Sequence, residues 1–174
     1  MNYNLPFIPS RPGKPREFGL TMVMDKGLSL EEAKNMVASG AEYIDFVKFG
    51  FGTSLITPQL KEKIKVYRDA GIRPYLGGTL FELFIIRNMY DDFVKFVDQL
   101  GLDLVEVSDG SMEMNHKVKC DYITKLSKKF TVISEVGSKQ ADVHIPDDEW
   151  VAMMKTEIEA GSWKVIAEAR ESGN

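Results

Sequence analysis

Five times along the chain, a short run of β-branched and aromatic residues gives way to an amphipathic helical stretch, with glycine or a hydroxyl residue near the change, and a sixth such run follows. Strands are expected near Gly19–Met24, Tyr43–Phe49, Arg73–Leu76, Leu104–Ser108, Val132–Val136 and Val165–Arg170. Helix signals fill the gaps. Ser29-Leu30-Glu31-Glu32 reads as a capping box for a helix that stops at Gly40. Thr57-Pro58 reads as the N-cap and first-turn proline of a second helix ending near Gly71. Thr79-Leu80-Phe81-Glu82 reads as another capping box, opening a long helix to Leu100. Further helices are expected over Asn115–Lys129 and from Asp147 or Asp148 to Gly161.

Regular βα alternation implies a parallel sheet. The expected class is α/β, of the (β/α)₈ TIM-barrel type. A whole barrel takes about 250 residues, so this chain accommodates about six βα units, an incomplete barrel. Such a piece is expected to leave its first and last strands as open edges, to favour a homo-oligomer, and to lack activity by itself. Residues 1–17, proline-rich from Leu5 to Arg16, are expected to form an extended arm, and residues 18–174 the βα body.

Composition narrows the class of function. A formal net charge of -4 argues against a nucleic-acid partner, which would call for a basic face. No apolar run reaches membrane-spanning length, and Met1–Gly19 lacks the apolar core of a signal peptide, so a cytoplasmic location is expected. The single cysteine, Cys120, excludes an internal disulfide and lies in a polar helical pattern.

Polar residues gather where the strands end. In Tyr43–Phe49, period-two alternation puts Lys48 with Ile44 and Phe46 on one face, and Asp45, Val47 and Phe49 on the other. The same rule turns Glu106 and Ser108, Glu135 and Ile133, and Glu168 and Arg170 inward, with their aliphatic neighbours facing the helices. Asp25 stands at the end of the first strand, Gly77-Gly78 at the end of the third, and Lys139 just beyond the fifth. Strand C-termini are where βα enzymes build their sites. Three carboxylates without histidine (Glu106, Glu135, Glu168) suit a hard cation such as Mg²⁺. Lys48, Lys139 and Arg170 suit an anionic substrate, and Gly77 and Gly78 let backbone N–H groups approach its oxygens.

At these residues the chain resembles a known family. Gly19-Leu20-Thr21 with Asp25-Lys26-Gly27, Tyr43–Gly50, Gly77–Glu82, Val105–Gly110, Ser134–Lys139 and Glu168–Gly173 look like phosphosulfolactate synthase, in that family's order. The resemblance implies a (β/α)₈ barrel and Mg²⁺-dependent addition of sulfite to phosphoenolpyruvate, giving (2R)-phospho-3-sulfolactate. It implies Lys139 as the proton donor and Lys48 as a binder of anionic groups. Asp25, Gly77, Gly78, Ser108 and Arg170 are expected around the substrate. The family also includes plant heat-stress-associated proteins, so a non-catalytic role is one alternative. A Schiff-base aldolase using Lys48 or Lys139 is another.

Overall fold

The computed structural model describes residues 5–137 and 145–168. Its strands are β1 (Met22–Asp25), β2 (Phe46–Phe49), β3 (Arg73–Leu76), β4 (Leu104–Val107), β5 (Thr131–Val136) and β6 (Lys164–Ala167). All pair in parallel and in chain order, so the sheet curls as a partial barrel. Among the described residues, β1 and β6 each have a strand partner on one side only. The helices are α1 (Leu30–Gly40), α2 (Leu60–Asp69), α3 (Gly78–Ile85), α4 (Tyr90–Gln99), α5 (His116–Ser127) and α6 (Asp147–Glu159).

Alternation sorts the side chains into two layers. Val47, Phe49, Val105, Val107 and Val132 face the helices, where they join Tyr67, Phe81, Phe93, Ile123 and Leu126 in the main core. Each large apolar side chain buried there contributes about 1.5–3 kcal/mol. Phe46, Tyr75, Leu104 and Ile133 face inward and form a smaller barrel floor, with Leu20 and Ile166 packed against it. Ile44, expected on the inner side, belongs instead to the helix-facing core, because it precedes the regular strand.

Local signals succeed where the partners are local. Ser29 and Glu32 close the capping box of α1: Ser29 N donates to Glu32 Oε2 at 2.7 Å and Glu32 N to Ser29 Oγ at 3.2 Å. Asn115 caps α5 by accepting from Lys117 N. Thr57 is not a cap. Its hydroxyl donates to Thr53 O, and α2 starts later, after Gln59 in a left-handed conformation.

The long helix expected from Thr79 to Leu100 is two helices. Asn88 takes a left-handed φ of 55°, Asn88 N donates to Ile85 O, and Met89 N donates to Phe84 O. Those two bonds form a Schellman stop, with asparagine in the place where glycine is usual. The break lets α3 and α4 pack against each other through the edge-on pairs Phe81–Phe93 and Phe84–Phe93.

The described residues of the expected arm, 5–17, contain neither helix nor strand, and arginines tie the segment to the sheet. Arg16 Nη1 lies 2.7 Å from Asp45 Oδ1, and Arg16 Nη2 donates to Glu42 O at 2.6 Å. Arg11 donates to Gly19 O and the Thr21 hydroxyl. The arm therefore crosses the N-terminal end of the sheet, opposite the end where the strands deliver their polar groups.

Candidate active site

Lys48 follows Phe46 onto the inner face of β2, one layer above the floor. Its Nζ lies 2.6 Å from Glu106 Oε1 and 3.1 Å from Glu135 Oε2. The three side chains are almost closed to solvent, at 9%, 1% and 6% exposure. A buried charge must be paired, and here one ammonium serves two carboxylates from β4 and β5. Burial works against the charge on Lys48, but Glu106 and Glu135 more than offset it and hold its pKa above the ordinary lysine value. For Glu106, burial is the largest influence and pushes the carboxyl pKa up. Lys48 pulls it down, Glu135 pushes it up again, and the result is raised.

The wall beside this group requires glycine. A Cβ on Gly77 would stand 2.9 Å from Phe49 O and 3.0 Å from Lys48 Cε. A Cβ on Gly78 would fall 2.1 Å from Ser108 Oγ and 3.0 Å from Glu106 Oε1. Without side chains there, the first turn of α3 closes on the cluster and Gly78 N donates to Glu106 Oε1 at 2.6 Å. The helix N-terminus adds a favourable partial positive charge.

Tyr75 also belongs to the group and was not among the expected site residues. Its hydroxyl donates to Glu106 Oε2 at 3.1 Å from a fully buried position on β3. Alternation carried from Arg73 to Tyr75 would have found it. Burial and the charge on Glu106 push the phenol pKa far up, so Tyr75 holds its proton.

Other expected residues fall elsewhere. Ser108 touches the wall, but its hydroxyl donates to Glu82 Oε1, while Ser111 N donates to Glu82 Oε2 at 2.8 Å. Glu82 is thus the clasp of the loop after β4 and not part of a capping box with Thr79. Glu168 lies beside the exit of β5, where its backbone N donates to Val136 O at 2.8 Å. Lys139 and Arg170 lie outside the described residues.

Asp25 is not brought to Lys48. The register pairs Asp25 with Phe49, which faces the helices. Asp25 Oδ2 accepts from Lys63 Nζ and from the Tyr67 hydroxyl, both at 2.7 Å, and Oδ1 accepts from Gly27 N and Leu28 N. Burial alone would raise its pKa, but Lys63, Tyr67 and the two N–H groups more than offset it and hold it below the ordinary value. A depressed carboxyl stabilises the fold above its unfolded pKa and ceases to do so as pH falls through the folded one. Asp25→Asn is therefore expected to destabilise the chain at neutral pH by about 3–5 kcal/mol, because Lys63 is left buried without its counter-charge. Urea unfolding should show that deficit shrinking below pH 4, on the order of the ordinary carboxyl value. A variant with wild-type stability at pH 7 would show that the pair contributes nothing.

The expected Mg²⁺ ligand set does not match this arrangement. Glu106 and Glu135 converge, but on the Lys48 ammonium. Glu106 further accepts from Gly78 N and Tyr75, which occupies both of its oxygens. Among the described residues, no group of three His, Cys, Asp or Glu side chains is placed to hold a metal ion. Calorimetric Mg²⁺ titration is accordingly expected to give the same isotherm for the wild type and Glu106→Gln. A binding event lost with that substitution would put the ion on Glu106.

Comparison with known proteins decides the family. The model of the (2R)-phospho-3-sulfolactate synthase (ComA) family matches residues 9–174. The chain belongs to this family. It is 42% identical over 168 residues to the phosphosulfolactate synthase of Bacillus subtilis, covering 95% of this chain and 67% of that protein. It is 37% identical over 170 residues to the phosphosulfolactate synthase of Methanothermobacter thermautotrophicus, covering 95% and 66%. The chain thus spans about two thirds of the length of these relatives. Protein HEAT-STRESS-ASSOCIATED 32 of Arabidopsis thaliana is more distant, at 24% identity over 121 residues, 65% of this chain and 42% of that one. Among solved structures, a 3-hexulose-6-phosphate synthase superposes with a TM-score of 0.52 at 18% identity, covering 89% of this chain and 70% of that one. The carboxyl transferase domain of Rhizobium etli pyruvate carboxylase superposes at 0.58 and 12% identity, covering 85% and 27%. Both support the barrel-type fold alone. No helix among the described residues is long and apolar enough to cross a membrane.

Proposed function

We propose that the chain carries the Lys48-centred part of a phosphosulfolactate synthase site, which adds sulfite to phosphoenolpyruvate to give (2R)-phospho-3-sulfolactate. The carrying observation is the ammonium of Lys48, buried at the C-terminal end of the strands in a chain of this family. An ammonium has three N–H donors. Glu106 and Glu135 take two of them, which leaves the third for an anionic group of the substrate.

The chemistry asks for such a cation. Sulfite sulfur attacks C3 of phosphoenolpyruvate and forms the C–S bond, while the C2–C3 π electrons move onto C2 and the carboxylate. Negative charge grows on the carboxylate oxygens, and a preorganised ammonium in a water-poor site stabilises it most effectively there. C2 then takes a proton to give the product. Lys139 is our proposed donor for that step, from its place after Glu135-Val136-Gly137. Tyr75 and Gly78 N hold Glu106, and so fix where Lys48 points. We place the reaction in the cytoplasm, with phosphoenolpyruvate and sulfite as partners.

The centre disfavours an aldolase that uses Lys48, while Lys139, the other lysine of that alternative, lies outside the described residues. A Schiff base needs a neutral amine, and the two carboxylates hold Lys48 protonated. The non-catalytic alternative draws on a specific observation: with one ammonium and two carboxylates, the described cluster is not net cationic. The discriminating experiment follows phosphoenolpyruvate with and without sulfite, in the chain carried at the full length of its relatives. Loss of phosphoenolpyruvate only when sulfite is present supports the synthase. A folded protein that neither binds nor consumes phosphoenolpyruvate supports the non-catalytic reading.

A further inference from the structure

Besides Lys48 and Lys63, a third buried lysine lies behind the site and takes no part in the proposed reaction. Lys119, on the inner side of α5, is fully buried. Its Nζ donates to Asp109 Oδ1 at 2.8 Å, to the main-chain oxygen of Glu135 at 2.5 Å, and lies 2.8 Å from Glu157 Oε1. The three acceptors use all three N–H donors of an ammonium. They come from three different places: the loop after β4, the fifth residue of β5, and α6.

Such an arrangement is costly unless every partner is in place, since burying an ammonium costs several kcal/mol before pairing. Burial pulls the Lys119 pKa down, but Glu157 and Asp109 more than offset it and hold it above the ordinary value, so the charge persists. The bond to Glu135 is directional and acts on the residue whose side chain receives Lys48. Asp109 lies three residues after Glu106, on the exit of the strand that supplies the other carboxylate. One side chain therefore ties together the ends of the two strands whose carboxylates must meet on a single ammonium.

We propose that Lys119 is a positioning residue that fixes the separation of the β4 and β5 exits, and through it the Glu106–Lys48–Glu135 geometry. The inference rests on the synthase reading for its effect on turnover, but its structural half stands without it. A merely structural crosslink would change the melting temperature and leave the Lys48 centre as it is. A positioning residue changes the centre in a protein that remains folded.

The test compares the wild type with Lys119→Met combined with Asp109→Asn and Glu157→Gln, which removes the crosslink without leaving buried charge. Ile123→Val, on the same helix and fully buried, serves as a control that loosens the packing of α5 and spares the crosslink. The first readout is the ¹⁵N ammonium resonance of Lys48 in lysine-labelled 174-residue chain, assigned through Lys48→Arg. The second is sulfite-dependent turnover in the full-length background. The expected result is loss or displacement of the Lys48 resonance in the triple variant, and a fall in kcat of about 10²-fold with little change in KM for phosphoenolpyruvate. Ile123→Val should keep both. If the triple variant does not fold, Asp109→Asn alone is read in the same way, because Glu157 still neutralises the ammonium. An unchanged Lys48 resonance with unchanged kcat overturns the proposal. A displaced resonance in a protein whose wild type shows no sulfite-dependent turnover upholds the positioning and refutes the synthase reading instead.

Discussion

Lys48→Met is expected to lower the stability of the chain at pH 7 by about 3–5 kcal/mol, a large share of the 5–15 kcal/mol available to a domain of this kind. The substitution removes from a buried site the ammonium that Glu106 and Glu135 share. The direction of the pH response follows from Glu106, whose folded pKa is raised by burial even with Lys48 present. Once Lys48 is gone, the pull that lowers it is lost and the rise is larger. A carboxyl with a raised folded pKa costs no stability below its unfolded value, where both states are protonated. The cost grows as pH rises through the window up to the folded pKa, because the unfolded chain ionises first. Lys48→Met should therefore be nearest to the wild type in mild acid and fall away toward neutral pH. Denaturant midpoints recorded across that range measure it. A deficit independent of pH would mean that packing of the lysine stem, and not its charge, holds β2 in place.

Lys139→Ala is expected to lower turnover about 10²–10⁴-fold, roughly 3–5 kcal/mol of barrier, while phosphoenolpyruvate binding changes little. The reason is that a proton donor acts in the transition state and contributes little to holding the ground-state substrate. Lys139 comes three residues after the end of the strand that carries Glu135. Single-turnover kinetics in the full-length protein, with binding measured separately by calorimetry, separates the two effects. Near-wild-type kcat would remove Lys139 from the chemistry.

The sequence shows the strands and their inward faces clearly, because a two-residue period in a buried parallel sheet leaves little freedom. That rule puts Glu106 and Glu135 on the inner face, and Lys48 joins them there for the same reason. The rule also carries the information about Asp25. Counted in register with β2, Asp25 falls opposite Phe49 and faces the helices. Position at a strand end is not enough; the parity of the residue decides which layer receives it.

What the sequence hid depends on distant partners. Thr79 and Glu82 have the spacing of a capping box, but Glu82 is claimed by Ser108 and Ser111, far along the chain. The break between α3 and α4 has neither proline nor glycine to announce it; Asn88 alone turns the backbone. The use of carboxylates was hidden as well. Three glutamates with no histidine read as a cation site, and two of them do hold a cation, the ammonium of Lys48. Charge count alone does not separate a metal from a lysine. Lys119 was invisible because nothing in a helix's own pattern reveals that a lysine on its buried side reaches two strand exits.

The Lys48 cluster is our proposed seat of this family's reaction. ³¹P spectra of phosphoenolpyruvate and sulfite, incubated with the full-length protein and with its Lys48→Met variant, test it most directly, both being folded at the assay temperature. A new phosphorus resonance from the sulfolactate ester is expected with the wild type, only when sulfite is present, and none with the variant. Equal product from Lys48→Met would contradict it.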